Sequence, residues 1–124
     1  MKINVTNDHC STFGFVGKDR NKWQGGVLSE TDGCIYAIPA DGKHVLRMDT
    51  KPGLTEEQQA KAIQLLGDLP PRKDKWQGAF IGKDGAMYAI PEGGYRILKV
   101  TPAPSSSSSG EEEDAEDQVK IEML

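Results

Sequence analysis

The chain has 124 residues, of which 36% are hydrophobic and 27% charged, and its formal net charge at pH 7 is −4. This length allows one ordinary domain. Six acidic residues lie in the run 111–117, so the rest of the chain is close to neutral. A nucleic-acid partner is therefore not expected, because it would need a clustered basic surface.

The amino-terminal residues 1–8 are mixed and polar, unlike a signal peptide. No stretch approaches the roughly 18 apolar residues of a membrane span. We therefore expect no membrane partner and, by default, a soluble cytoplasmic chain, although a fragment lacking its true start would look the same. Two cysteines are too few for a disulfide framework, and Cys34 is predicted to be a small buried residue.

Residues 1–21 are predicted to hold a leading strand and a loop. Phe13 and Phe15 alternate within residues 12–17, which end in the turn residue Gly17. This pattern is typical of a strand. The polar residues 18–21 then form the loop.

The rest of the chain contains a repeat. Lys-Trp-Gln-Gly begins at Lys22 and again at Lys75, and both copies continue into Asp-Gly, an Ile/Met-Tyr-Ala-Ile-Pro segment and an apolar run. The tryptophans are 53 positions apart but the tyrosines after Asp-Gly only 52, so one residue is dropped between Trp and Asp-Gly. A repeat of this length defines the architecture. We divide the chain into repeats 22–74 and 75–124.

Each repeat is predicted to form four strands. The Asp-Gly pairs at 32–33 and 84–85 favour a tight hairpin with both residues at positive φ, and Pro39 and Pro91 end the second strands because proline cannot donate to a ladder. Thr55 begins a capping box that predicts a short helical turn before the fourth strand of the first repeat. The predicted strands are 27–28, 34–38, 44–48 and 63–66 in the first repeat, and 79–81, 86–90, 95–100 and 121–124 in the second.

Residues 102–117 interrupt the second repeat. They combine prolines, five serines and an acidic run, with almost nothing apolar to bury. Such a segment is predicted to be disordered. Its acidic part is typical of a solubilising feature, and a docking segment is the alternative.

An antiparallel four-stranded unit of about 50 residues with glycine and aromatic motifs is the unit of a β-propeller. The layout resembles the kelch and NHL families of propeller blades. More closely, Lys-Trp-Gln-Gly-Gly and Asp-Gly-x-Ile-Tyr-Ala-Ile-Pro resemble the repeats of little-characterised propeller-like proteins from algae and protists. The resemblance covers residues 13–100 and, weakly, the last six. It implies an all-β fold of two blades and no established activity; Gly26 becomes Ala79, and the usual kelch Tyr-Trp spacing is missing.

Two blades cannot close a propeller, which typically has four to eight, and about three stacked units are a usual minimum for stability. We therefore expect a fragment of a longer propeller. A ring formed by self-association of several chains and a small sheet pair standing alone are the alternatives.

Candidate binding residues lie at one end of each repeat. In an antiparallel meander the start of the first strand and the loop after the second strand share an end. A protein, peptide or glycan ligand is predicted there. The alternative is structural: tryptophan packs between blades, lysine covers its ring, and glutamine satisfies backbone groups. The candidates are Lys22, Trp23, Gln24, Asp41, Lys75, Trp76, Gln77 and Glu92.

No catalytic residue, metal site or cofactor is predicted. No zinc-protease, Cys-x-x-Cys or nucleophile-elbow motif occurs, His9 and His44 lack a triad or metal spacing, and Asp32 and Asp84 are read as turn residues. The leading hypothesis is a non-catalytic binding module. The alternatives are part of a propeller-fold metal-dependent hydrolase or lactonase, whose ligands come from several blades, and a structural remnant without a ligand.

Overall fold

The computed structural model describes residues 1–93, 96–104 and 119–124. They form a small hairpin, β1–β2, and two four-stranded antiparallel sheets that share one hydrophobic core. The elements are β1 (Lys2–Asn4), β2 (His9–Ser11), β3 (Trp23–Leu28), β4 (Cys34–Pro39), β5 (Val45–Asp49), α1 (Glu56–Lys61), β6 (Ile63–Leu66), β7 (Trp76–Ile81), β8 (Met87–Pro91), β9 (Leu98–Thr101) and β10 (Lys120–Met123).

The first sheet has the order β3-β4-β5-β6 and the second β7-β8-β9-β10, so each repeat is an antiparallel meander. This confirms the all-β prediction of two four-stranded antiparallel sheets. The fourth strands β6 and β10 pair with β5 and β9 as expected, and β4 and β8 end at the two prolines. Neither sheet closes on itself.

The first strand of each sheet carries a bulge at the same place. Trp23 pairs with Pro39 and Gly26 with Ala37, so β3 holds one extra residue, and β7 repeats this pattern. Gly25 takes the positive φ of +82° that the bulge needs. A Cβ on Gly25 would lie 3.1 Å from the Cα of Gly78, so the two bulges touch where the repeats meet.

The dropped residue lies in the first hairpin of the second repeat. The Gly33 N–H donates to Ser29 O, four positions back, whereas the Gly85 N–H donates to Gly82 O, three positions back. Of each Asp-Gly pair only the glycine has a positive φ, so the predicted positive-φ pair is wrong for the aspartates. Each aspartate carboxylate instead accepts the backbone N–H two residues on, which closes an Asx turn.

The predicted leading strand over residues 12–17 is not formed, and the strands of this region are β1 and β2. The physical reason is that Gly14 and Gly17 have φ of +73° and +87°, which turn the chain out of an extended ladder. The segment nevertheless lies against the first sheet, because a Cβ on Gly14 would come within 2.5 Å of the Cδ1 of Ile63.

The predicted helical turn is confirmed as α1. The Thr55 hydroxyl accepts the Gln58 N–H at 3.2 Å, and the Gln58 side chain accepts the Thr55 N–H at 3.0 Å. This is a complete capping box. Within the described ranges, no helix has the length and apolar character required to cross a membrane.

Two boundaries in the second repeat differ from the prediction. Strand β9 begins at Leu98, three residues later than predicted, and residue 95 lies outside the described residues. The predicted disorder falls mostly on residues 105–117, which also lie outside them. Pro102 and Ala103 are described and buried, so the start of that segment was set too early.

The two sheets bury opposite faces. We call the face with Tyr36 or Tyr88 the front and the face with Ile35 or Met87 the back, since neighbouring residues of a strand point to opposite sides. The shared core combines the front of the first sheet with the back of the second. Its front members are Cys34, Tyr36, Ile38, Val45 and Leu66, and its back members are Met87, Ala89, Leu98 and Val100.

Candidate functional site

The start of β3 and the loop after β4 are joined by backbone hydrogen bonds. The N–H groups of Ala40 and Gly42 donate to Lys22 O at 2.9 and 3.1 Å. In the second repeat the Glu92 N–H donates to Lys75 O at 3.1 Å. The structure therefore brings Lys22 near Asp41, and Lys75 near Glu92, at the ends predicted for them.

Both tryptophans anchor the loop before the third strand of their own sheet. The Nε1 of Trp23 donates to His44 O at 2.8 Å, and the Nε1 of Trp76 donates to Arg96 O at 2.7 Å. Trp76 is fully buried, whereas Trp23 is half-buried. The structural interpretation of the tryptophans therefore has direct support, and only Trp23 retains accessible ring surface.

The lysines hold the loop that precedes their own strand. The Nζ of Lys22 donates to Gly17 O and Asp19 O at 3.0 and 2.7 Å and lies 5.5 Å from the centroid of the Trp23 ring. The Nζ of Lys75 donates to Arg72 O at 2.7 Å, and Lys75 is fully buried. Burial lowers the pKa of the Lys75 ammonium. Lys75 is therefore enclosed and presents no surface to a ligand.

Of the remaining candidates, Asp41 bonds another segment of the chain, whereas Gln24, Gln77 and Glu92 are exposed. Asp41 accepts the Asp74 N–H on its Oδ1 at 2.9 Å, which ties the first repeat to the turn before the second. Gln24 and Gln77 are exposed, and neither side chain forms a hydrogen bond with another described residue. Glu92 is also exposed. Satisfying backbone groups, the structural role considered for glutamine, is thus not observed.

A polar cleft lies where the two repeats meet. Its volume is about 360 Å³, and it is lined by Asn21, Trp23, Gln24, Ala40 and Asp74. Asn21 and Asp74 occupy equivalent positions just before their lysines, and both have a positive φ, of +50° and +51°. Asn21 and Asp74, the residues just before the two lysines, therefore line one concave site together with Trp23, Gln24 and Ala40 of the first repeat.

Sequence reasoning missed Asn21 and Asp74. The available signal was their common spacing of 53 positions, together with the tolerance of Asn and Asp for the left-handed region. A second cavity of about 240 Å³ lies beside the first and shares Trp23 with it. Lys22, Asp41 and His44 also line it.

A second polar group lies on the front of the first sheet and was not predicted. The Tyr36 hydroxyl donates to Asp32 Oδ2 at 2.5 Å and accepts from Arg47 Nε at 3.1 Å, while Arg47 Nη1 donates to Gln64 Oε1 at 2.7 Å. Burial raises the pKa of Tyr36. These groups satisfy one another and form a structural network, while the other carboxylate oxygen of Asp32 closes its turn by accepting the Cys34 N–H.

The side chains most often used in catalysis and metal binding are either buried, as Cys34 is, or not clustered within the described residues. Cys34 is buried as predicted, and burial raises the pKa of its thiol to about 11, so the nucleophilic thiolate is disfavoured. Among the described residues, no three or more His, Cys, Asp or Glu side chains lie close enough together to hold a metal ion.

Comparison with known proteins does not extend this description. No protein-family model matches the chain, and the searches of curated proteins and of solved structures returned no match.

Proposed function

We propose that the chain is a non-catalytic binding module built of propeller-type repeats. The front-to-back packing of its two sheets supports this organisation. Neighbouring blades around a propeller axis are related by a rotation smaller than 180° and meet through non-equivalent faces, whereas two sheets related by a two-fold axis would bury equivalent ones. The ligand position in this proposal is the cleft of Asn21, Trp23, Gln24 and Asp74.

The cleft between the repeats carries the proposal. Ligand sites are concave and combine apolar surface with a few polar groups. Here the half-buried Trp23 ring supplies apolar surface, and the exposed Gln24 side chain has no hydrogen-bond partner among the described residues. The ammonium of Lys22 is bonded to the preceding loop and lies over the Trp23 ring. The ring is therefore held in place before a ligand binds.

The lining favours a saccharide as the ligand. A sugar offers apolar C–H surface to an aromatic ring and several hydroxyl groups around its edge. Side-chain amides donate and accept at once, and a carboxylate accepts, so Asn21, Gln24 and Asp74 can together pair with neighbouring hydroxyls. A peptide would use the same groups, which is why the test must compare the two classes.

The test uses the two equivalent glutamines. Gln24 lines the cleft, while Gln77 is equally exposed and is not among the residues that line it. We expect an oligosaccharide array to identify a binder, and isothermal titration to show that Gln24→Ala weakens it about 3- to 10-fold, the value of one neutral hydrogen bond. Gln77→Ala should leave the affinity unchanged.

The outcomes separate the alternatives. If the chain binds a peptide array and no saccharide, the ligand is a peptide and not a saccharide. If it binds neither array, the cleft is not a binding site. Equal losses in Gln24→Ala and Gln77→Ala would also refute it. Replacing both repeated lysines, Lys22 and Lys75, by alanine would not test the site, because Lys75 is buried and its loss would disturb the fold.

A further inference from the structure

Within the described part of the chain, nothing covers the front of the second sheet, although its counterpart in the first sheet is core. Phe80 is 71% exposed and Ile90 is 49% exposed, whereas the equivalent Ile38 is 0% exposed and Val27 packs against the core. Burying large apolar side chains stabilises a protein, so covering Phe80 and Ile90 would stabilise this face as the front of the first sheet is already stabilised.

The fold itself shows what covers such a face. In the first sheet the cover is the back of a following four-stranded sheet, through Met87, Ala89, Leu98 and Val100. The polar groups on the front do not prevent this. The side chains of Arg47 and Asp32 remain paired beneath the cover, at 14% and 4% exposed. Lys99 and Asp84 form the corresponding pair on the open face, with Nζ and Oδ2 separated by 3.8 Å.

The back of the first sheet is likewise not covered by another sheet formed by residues 1–93, 96–104 and 119–124. On the first sheet this face carries Ile35, Met48 and Ile63, which are half-buried, and Leu65, which is 44% exposed. The amino-terminal segment lies over part of it and leaves a cavity of about 280 Å³ lined by Phe13, Ile35 and Met48, among others. One chain therefore offers an open front and an incompletely covered back.

We propose that a second copy of this chain docks the back of its first sheet, around Leu65, on the Phe80 front of the second sheet. The contact places a back face on a front face, as between the two sheets of one chain. It is centred on Leu65 of β6, because the amino-terminal segment lies against Ile35 and Met48, the equivalents of Met87 and Val100. It is heterologous, so a two-chain complex keeps one free front and one free back, and addition continues until a ring closes or extends as an open filament where the rotation does not close. The inference rests on the propeller-type packing of the proposed function and does not depend on the cleft.

Complementary variants test this surface. Phe80→Glu places a charge on the front, and Leu65→Glu places one on the back. Val5→Glu is the control, because Val5 is 89% exposed in the turn of the β1–β2 hairpin. We expect light scattering during size exclusion to give a multiple of the chain mass for the wild type and Val5→Glu, and a single-chain mass for each face variant.

Mixing the two face variants gives the sharper result. A heterologous contact leaves one intact interface, between the unaltered front of Leu65→Glu and the unaltered back of Phe80→Glu, so the mixture should form a two-chain complex. Front-to-front pairing would instead let Leu65→Glu dimerise alone, which would overturn the proposal. A monomeric wild type from micromolar to millimolar concentration, with native circular dichroism, would also overturn it.

The assembly test is distinguishable from the test of the cleft. Gln24→Ala should retain the wild-type mass, and Phe80→Glu should retain saccharide binding, because Phe80 is not among the residues that line the cleft. Loss of assembly with binding intact would leave the proposed ligand site standing, and the reverse result would leave the docking surface standing.

Discussion

The two repeats place the same hydrogen bond in two different environments. The hydroxyls of Tyr36 and Tyr88 donate to the aspartate of their own turn at 2.5 and 2.6 Å. Tyr36 is fully buried under the second sheet, and Tyr88 lies half-exposed on the open front face. The local sequence therefore sets the geometry, while the neighbouring sheet decides how much the bond contributes to stability.

The cation beside each tyrosine also differs between the buried and the exposed repeat. In the buried repeat it is Arg47, whose guanidinium reaches Tyr36 and Gln64 at once. In the exposed repeat it is Lys99, a single ammonium 5.5 Å from the centroid of the Tyr88 ring. A planar, multiply donating cation suits a site without water, because each buried polar group needs a partner.

The largest expected contrast is between the two tryptophans. Trp76→Ala should reduce the free energy of unfolding by about 3–5 kcal/mol, because it removes a fully buried ring and leaves Arg96 O without its donor. Trp23→Ala should cost about half as much, since Trp23 is only half-buried. Urea unfolding followed by circular dichroism measures both; equal losses would show that the repeats are equally packed.

Removing one hydroxyl gives a smaller contrast. Tyr36→Phe should lower the free energy of unfolding by about 1–3 kcal/mol, because Asp32 and Arg47 would lose a shared partner inside the core. Tyr88→Phe should change it by less than about 0.5 kcal/mol, since water can replace the hydroxyl at an exposed site. Thermal unfolding of the pair provides the measurement, and a larger effect at Tyr88 would contradict the assigned burial.

The sequence was sufficient where the determining interactions are local. Asp-Gly turns, prolines at strand ends and the capping box at Thr55 act within a few residues, and each was predicted in place. The leading strand failed although Phe13 and Phe15 alternate, because the backbone of the intervening Gly14 is left-handed. The alternation of apolar residues therefore identified a strand that the backbone does not form.

Apart from Cys34, burial on the second strands was not predicted, because both sides of each of these strands are apolar. Ile35 and Tyr36 could each have faced the core, and the choice depends on how the sheets pack. The same limit applies to the candidate site. The positions of Lys75 and Trp76 were predicted and packing of the tryptophans was the structural alternative, but the complete enclosure of Lys75 was not predicted. Asn21 and Asp74 were missed because the junction of the repeats makes them neighbours.

The smallest expected effect concerns acid stability at the exposed tyrosine. The hydrogen bond from Tyr88 lowers the pKa of Asp84 below its usual range, and the Ala86 N–H contributes in the same direction. A pKa lowered in the folded state stabilises the protein above the unfolded value of about 3.9. That stabilisation is lost as the pH falls through the folded pKa, because protonation then removes the favoured carboxylate.

Tyr88→Phe should therefore raise the pKa of Asp84 towards its usual value and make stability less dependent on pH below about 4. A carboxyl-carbon NMR titration measures the pKa directly. Lys99→Met is the matched control and should produce a smaller rise, because the Lys99 charge lies 3.8 Å away at an exposed position, where solvent screens it. A larger shift in Lys99→Met than in Tyr88→Phe would show that the ammonium charge, and not the hydroxyl, controls this carboxylate.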